Sequence, residues 1–212
     1  METTVRTRLS IDERRRQLLT LGRDLFTSRA YDDISIDDIA AAATISKGLL
    51  YHYFPSKRDF YVETLRATVE EVRAAIEPDL SLPLQARLHA SVSAFIDMIE
   101  RHPGLYVAVL RGGIGSDTAV TELVDDLRHA VVSLVFDSIG LADPLPLWRT
   151  TLRGWVSFIE EVCLDWVEHR DESRDHIMQL IELTLASVFR SAWLLAPDER
   201  LDYHALGISL AW

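Results

Sequence analysis

The sequence predicts an all-α fold, with an N-terminal three-helix unit containing a helix-turn-helix and a larger helical domain behind it. Three observations carry this expectation. Apolar residues recur at helical spacing along nearly the whole chain, and no convincing alternating strand run interrupts them. Serine stands three residues before an acid at Ser10/Glu13, Ser35/Asp38 and Ser56/Asp59, a pattern that starts helices because the hydroxyl and the acid satisfy free backbone N–H groups. Glycine and proline gather between the periodic stretches, where they stop helices for backbone reasons.

The first helix starts at Ser10 and ends around Arg29-Ala30, with Leu18, Leu19, Leu21, Gly22, Leu25 and Phe26 on its inner side and Arg14, Arg15 and Arg16 near its start. Ser35 caps the second, whose inner face is Ile36, Ile39, Ala40 and Ala43. A short turn at Thr44-Ile45 leads to a third helix from Ser46 to Tyr53, ended by Pro55. Ser56 caps a long fourth helix, Lys57 to about Glu77, and Pro78 and Pro83 punctuate the link to the rest of the chain. The remaining helices are expected at Leu84–Arg101, Pro103–Leu110, Asp117–Ile139, Leu145–His169 and Arg174–Leu194. The glycines at 112, 113 and 115 follow no strand and read as a flexible connection. This divides the chain into 1–56, the helix-turn-helix unit, and 57–212, the larger helical domain.

Composition narrows the function class. The chain has 212 residues, 48% hydrophobic and 26% charged, enough to bury a substantial core. No apolar run approaches the roughly 18–20 residues of a membrane span, and the N-terminus lacks the apolar stretch of a secretory signal, so a cytoplasmic protein with no membrane partner is expected. Cys163 is the one cysteine; it lies among Ile159, Val162 and Trp166 and reads as a buried, inert thiol. The net charge of −11 is unevenly spread. Residues 1–60 carry 10 basic and 9 acidic side chains, whereas 61–212 carry 12 and 24. Both lysines, Lys47 and Lys57, fall in the first part, and local charge governs phosphate binding more than the total.

Residues 35–54 meet the physical demands of a helix-turn-helix. A small residue, Ala40, stands where two helices must cross closely, and Ile45 and Leu50 are placed to anchor the second helix on the first. The second helix keeps Ser46, Lys47, Tyr51, His52 and Tyr53 for an outer face. Such a helix enters the major groove of double-stranded DNA, its N-terminal residues reaching base edges. Lys57 and the helix starts at Ser46 and Ser56 suit phosphate.

The stretch DDIAAAATISKGLLYHYFPSKRDFYVETL resembles the signature of the TetR family of bacterial regulators. The matching elements are Ile39-Ala40, Ser46-Lys47-Gly48, Leu50 through Phe54, and Ser56-Lys57, within a resemblance that covers residues 11–72. It implies a homodimeric, DNA-binding regulator, most often a repressor, which leaves its operator when a small molecule binds the C-terminal domain. On this basis the DNA-facing set is Ser35, Ser46, Lys47, Gly48, Leu49, Tyr51, His52, Tyr53, Ser56 and Lys57. Two positions depart from the family. Thr44 stands where glycine is common in the turn, which implies some strain or an altered turn. Leu49 stands where a threonine or another small residue is common, exchanging a hydroxyl contact for contact with a thymine methyl.

The second region is rich in apolar and aromatic side chains, as a hydrophobic effector pocket requires. Phe95, Met98, Tyr106, Trp155 and Phe158, on central helices, are the candidate pocket residues; burial in the core is the plainer alternative for each. The wide apolar faces of Leu147–Val167 and Ile177–Leu194 suit a four-helix dimer interface or burial within one subunit. Glu160, Glu161 and Asp165 suit a cationic ligand or, more simply, a solvated face. The histidines show no metal-ligand spacing, and neither a cofactor motif nor a nucleophile–base–acid constellation is present, so no metal, cofactor or enzyme activity is expected. The alternative function is a helical ligand-binding or protein-interaction module that has lost DNA binding.

Overall fold

A computed structural model describes residues 10–111 and 117–201. The glycine-rich break at 112–115 and the end of the tail lie outside the described residues. Within them the chain forms nine α-helices and one 3-10 turn at Tyr31–Asp33: α1 Ile11–Ser28, α2 Ile36–Ala42, α3 Lys47–Tyr53, α4 Lys57–Ile76, α5 Leu84–Arg101, α6 Pro103–Leu110, α7 Thr118–Ser138, α8 Pro146–His169 and α9 Arg174–Leu195.

The serine caps form as their spacing requires. The Ser10 and Ser35 hydroxyls accept from the N–H of Glu13 and Asp38, while those carboxylates take the serine N–H in return. Ser56 accepts from Asp59 N–H at the head of α4.

Two cores divide the interior. The first joins Leu18, Phe26, Ile39, Ala40, Leu50, Phe54, Phe60 and Leu65 from α1 to α4. It also takes in Leu105 of α6 and Val120 and Leu123 of α7. The second lies among α5, α7, α8 and α9, with Ile96, Phe136, Trp148, Trp155, Ile159, Cys163, Ile181 and Phe189. Helix α4 therefore packs its first half into the helix-turn-helix core and carries its C-terminal end, through Ile76, to the second region.

Two close approaches hold α1 against its neighbours. A Cβ on Gly22 would stand 2.5 Å from Thr64 Oγ1 of α4, and one on Gly104 would stand 2.0 Å from the Thr27 carbonyl oxygen. The start of α6 thus rests directly on the backbone at the end of α1. Cys163 is fully buried beside Tyr106, and burial pushes its thiol up to about 12, which keeps it protonated and unreactive.

Helix α9 is long and apolar enough to cross a membrane by length and composition alone. Here it packs along α8 and α5, burying Ile177, Ile181, Leu185 and Phe189.

Candidate DNA-binding face and ligand cavity

The turn between α2 and α3 closes through two backbone hydrogen bonds. Ile45 N–H donates to Ala40 carbonyl at 3.0 Å and Thr44 N–H to Ala41 carbonyl at 3.0 Å. This is the Schellman pattern, which places its middle residue in the left-handed region. That residue is Thr44, with φ of 55°. The turn expected of glycine is thus retained, and the β-branched side chain is strained in it.

Beyond the turn, Ser46 caps α3 by accepting from Leu49 N–H, and fully buried Leu50 and Phe54 pin the helix to the core. Lys47, Gly48, Leu49, Tyr51 and His52 are exposed together, and Tyr53 is half-buried with its ring between those of His52 and Phe54. Leu49 and Tyr51 are 39% and 47% exposed, unusual for large apolar groups on a seven-residue helix that could have turned them inward. Lys47 Nζ contacts Asp37 of α2 at 2.5 Å.

Three of the expected DNA-facing residues are committed to the fold. The Ser35 hydroxyl donates to the Asp38 carboxylate and accepts from Asp38 N–H. Ser56 is engaged with Asp59 in the same way. Lys57 Nζ donates to the carbonyls of Tyr31 and Ile34, each at 2.9 Å, and lies 3.9 Å from the centre of the Tyr31 ring. Its ammonium ties the 3-10 turn to α4, so the expected phosphate contact of Lys57 would have to be made with its one remaining N–H. Arg15 is likewise held, by Glu63 at 2.7 Å and by the face of Phe54. The sequence motif marks these positions but not their partners, because the carbonyls of Tyr31 and Ile34 have no residue-type signature.

A cavity of about 650 Å³ opens between α5, α7, α8 and α9. Val92, Val131, Leu134, Val135, Val156 and Leu185 give it an apolar wall. Of the candidate pocket residues, Phe95 and Trp155 line it, and Met98, Tyr106 and Phe158 do not. Tyr106 sits on α6 behind Phe95, its ring centre 6.1 Å away, and its hydroxyl donates to the Glu160 carbonyl. Burial raises that phenol well above its ordinary range. Met98 is half-buried against the core one turn beyond Phe95, and Phe158 points outward on α8.

Polar groups stand at the cavity's edges. Arg128 Nε and Nη2 donate to the Glu160 carboxylate at 2.9 and 2.8 Å, and Nη1 donates to Asp125 at 2.8 Å. Glu160 is therefore neither a solvated residue nor a free anion. Among the described residues Arg87 donates to three carbonyls, those of Leu82, Ser138 and Leu80. Neither arginine carries a motif in the sequence. Among the described residues no cluster of three or more His, Cys, Asp or Glu side chains could hold a metal ion.

An apolar stripe stays open on the outside of α8 and α9. Leu147 and Phe158 are exposed on α8, and Leu180, Leu183 and Leu194 on α9 at helical spacing, Leu183 also lining the cavity. Gly154, one turn before Phe158, has nothing within 4 Å of where its Cβ would stand.

Comparison with known proteins agrees with this architecture. The family of bacterial regulatory proteins called tetR matches residues 18–64, and the tetracyclin repressor-like C-terminal domain matches residues 84–187. The HTH-type transcriptional activator FasR of Mycolicibacterium smegmatis is 33% identical over 147 residues, 68% of this chain and 67% of that protein. The crystal structure of a tetR-family transcriptional regulator from Streptomyces coelicolor has a TM-score of 0.83 at 30% identity, over 93% of this chain and 88% of that one. The fold is also that of FadR from Bacillus subtilis, solved in complex with stearoyl-CoA, with a TM-score of 0.64 at 14% identity over 87% of this chain and 99% of that one.

Proposed function

The chain belongs to the TetR family of bacterial regulatory proteins, and from that premise we propose that it is a homodimeric, cytoplasmic repressor released from its operator by a hydrophobic effector. The observation that carries the DNA-reading part is the outward face of α3, where Leu49 and Tyr51 are exposed beside Lys47 and His52 on a helix pinned by Leu50. A helix presented in this way fits the major groove, with Leu49 against a thymine methyl and Lys47 on phosphate or guanine.

The dimer reading rests on the α8–α9 stripe. Pairing it with a second copy about a two-fold axis would form a four-helix interface, with Gly154 allowing close approach beside Phe158. Two α3 helices about 34 Å apart would then meet successive turns of one DNA face.

The effector reading rests on the cavity, whose volume and apolar wall suit a drug-sized hydrophobic molecule. FadR, of the same fold, holds stearoyl-CoA, which supports a lipid-like ligand. Selecting fragments of the host genome on the purified protein tests the function. Enrichment of one inverted repeat is expected; recovery of no preferred sequence by a folded dimer would refute it.

A further inference from the structure

We propose that the effector is an amphiphile with an anionic head, carboxylate or phosphate, taken by Arg87 while its apolar chain runs along α7 toward Arg128 and Glu160. This deepens the effector reading and rests on it.

The cavity is elongated. Its α7 wall runs from Leu127 to Ile139, about 18 Å at 1.5 Å per residue. Arg128 lies near one end of that wall. Arg87 marks the other, where its Nη1 donates to Ser138 carbonyl at 3.1 Å. The wall between them is mostly apolar and suits a chain; Glu182, the other carboxylate that lines it, is engaged by His89 at 2.9 Å.

The two ends differ in charge. Arg128 is answered by two carboxylates, Glu160 and Asp125, so that end carries a net negative charge and repels an anion. Arg87 lines the same cavity and, among the described residues, has no carboxylate partner. Asp79, the nearest acid, accepts from the N–H and hydroxyl of Ser81 and not from the guanidinium; its charge offsets part of that of Arg87, whereas the two acids at the other end outweigh Arg128.

Three carbonyls fix the Arg87 guanidinium in place: Leu82 at 2.6 Å, Leu80 at 2.7 Å and Ser138. They use one N–H on each of Nε, Nη1 and Nη2, and a guanidinium carries five. A cation held rigid with two donors spare is suited to a carboxylate or phosphate. The start of α5, which also lines this end through Leu84 and Gln85, has no side-chain cap on its N–H groups, and its dipole adds to the positive potential.

The test is calorimetric titration of the wild-type protein with dodecanoic acid, dodecyl phosphate, dodecan-1-ol and dodecylamine, one chain with four heads. Acid and phosphate are expected to bind at least about tenfold tighter than the alcohol, and the amine weakest. The stronger of the two acids identifies which head the site prefers. Arg87→Gln is expected to remove the preference and leave alcohol binding within about twofold; Arg87→Lys should restore part of it. Equal binding of acid and alcohol would overturn the proposal, as would a preference that survives Arg87→Gln and disappears in Arg128→Gln. The wild-type comparison decides the matter even if Arg87→Gln fails to fold. Failure of all four ligands to bind would remove the cavity as a lipid site, and with it the effector reading, not its polarity alone.

Discussion

The Arg58 guanidinium at the head of α4 holds the Asp117 carboxylate at the head of α7 through hydrogen bonds of 2.6 and 2.8 Å. Asp117 also caps α7 by accepting from Ala119 N–H, so the pair fixes the helix-turn-helix unit against the helix that walls the cavity. The guanidinium holds the Asp117 carboxyl below its usual range. Stability from the pair is present above the unfolded value of about 3.9 and is lost as pH falls through the folded one.

Arg58→Ala leaves the α7 cap intact and removes the tie. Its effect on stability should be modest: the guanidinium is half exposed and solvent screens the pair, but the Asp117 side chain, 6% exposed, loses its charged partner. The expected outcome is a weaker link between the domains: the ratio of operator affinities without and with dodecanoic acid should fall toward one. A ratio equal to that of the wild type would show that the domains are coupled elsewhere, for instance where Gly104 meets Thr27.

Thr44→Gly should stabilise the protein by up to about 1 kcal/mol, since relief of the left-handed backbone outweighs the gain in unfolded-state entropy. Thermal unfolding would register this as a rise in Tm of a few degrees. An unchanged or lower Tm would mean that the threonine side chain makes a compensating contact.

Lys47 and Lys57 should separate cleanly, although they are the two lysines of the chain. Lys47→Ala is expected to lower DNA affinity and reduce the salt slope by about one, with unfolding unaltered. Lys57→Ala should leave two carbonyls without their donor and lower stability by about 1–3 kcal/mol, with the salt slope of the folded fraction unchanged. Asp37→Asn, which frees Lys47 from its carboxylate, should strengthen DNA binding.

The open stripe of α8 and α9 predicts that Phe158→Glu with Leu180→Glu yields monomers by analytical ultracentrifugation, and that the monomers bind DNA at least about tenfold more weakly. A double variant that stays dimeric would place the interface on another surface.

His102, half-buried where α5 meets α6, has its pKa lowered, first by burial and then by Arg23. The neutral form is therefore favoured in the folded state. Below the unfolded value of about 6.5 the unfolded chain binds a proton that the folded one resists, so stability falls as pH drops through that value toward the folded pKa. His102→Gln should flatten this part of the profile in denaturant titrations across roughly pH 5 to 7. An equal slope in the variant would assign the effect to another group.

Much of this architecture is legible in the sequence because it rests on local chemistry. The serine–acid pairs at Ser10, Ser35 and Ser56 announce their helices, and Pro78, Pro83, Pro103 and Pro146 bound others. The exposed face of α3 follows from spacing, since Leu50 must point inward and its neighbours therefore cannot. Partners distant in sequence are not legible in this way. The spacing around Lys57 suits a phosphate contact, yet the chain folds so that two carbonyls reach its ammonium first. Tyr106 and Phe158 share the aromatic character of Phe95 and Trp155, but only helix rotation decides which rings meet the cavity. Arg87 and Arg128 have no motif at all, and their meaning comes from what each is paired with.

The central claim, that the outer face of α3 reads DNA sequence, is tested most directly by fluorescence anisotropy. Wild type, Leu49→Ala and Tyr51→Ala would be titrated onto the selected fragment and onto a scrambled fragment of equal length. The wild type should prefer the selected fragment by about a thousandfold or more at physiological salt. Each substitution, at an exposed position, should erase at least about tenfold of that preference with Tm unchanged. Full preference retained by both variants would contradict the claim.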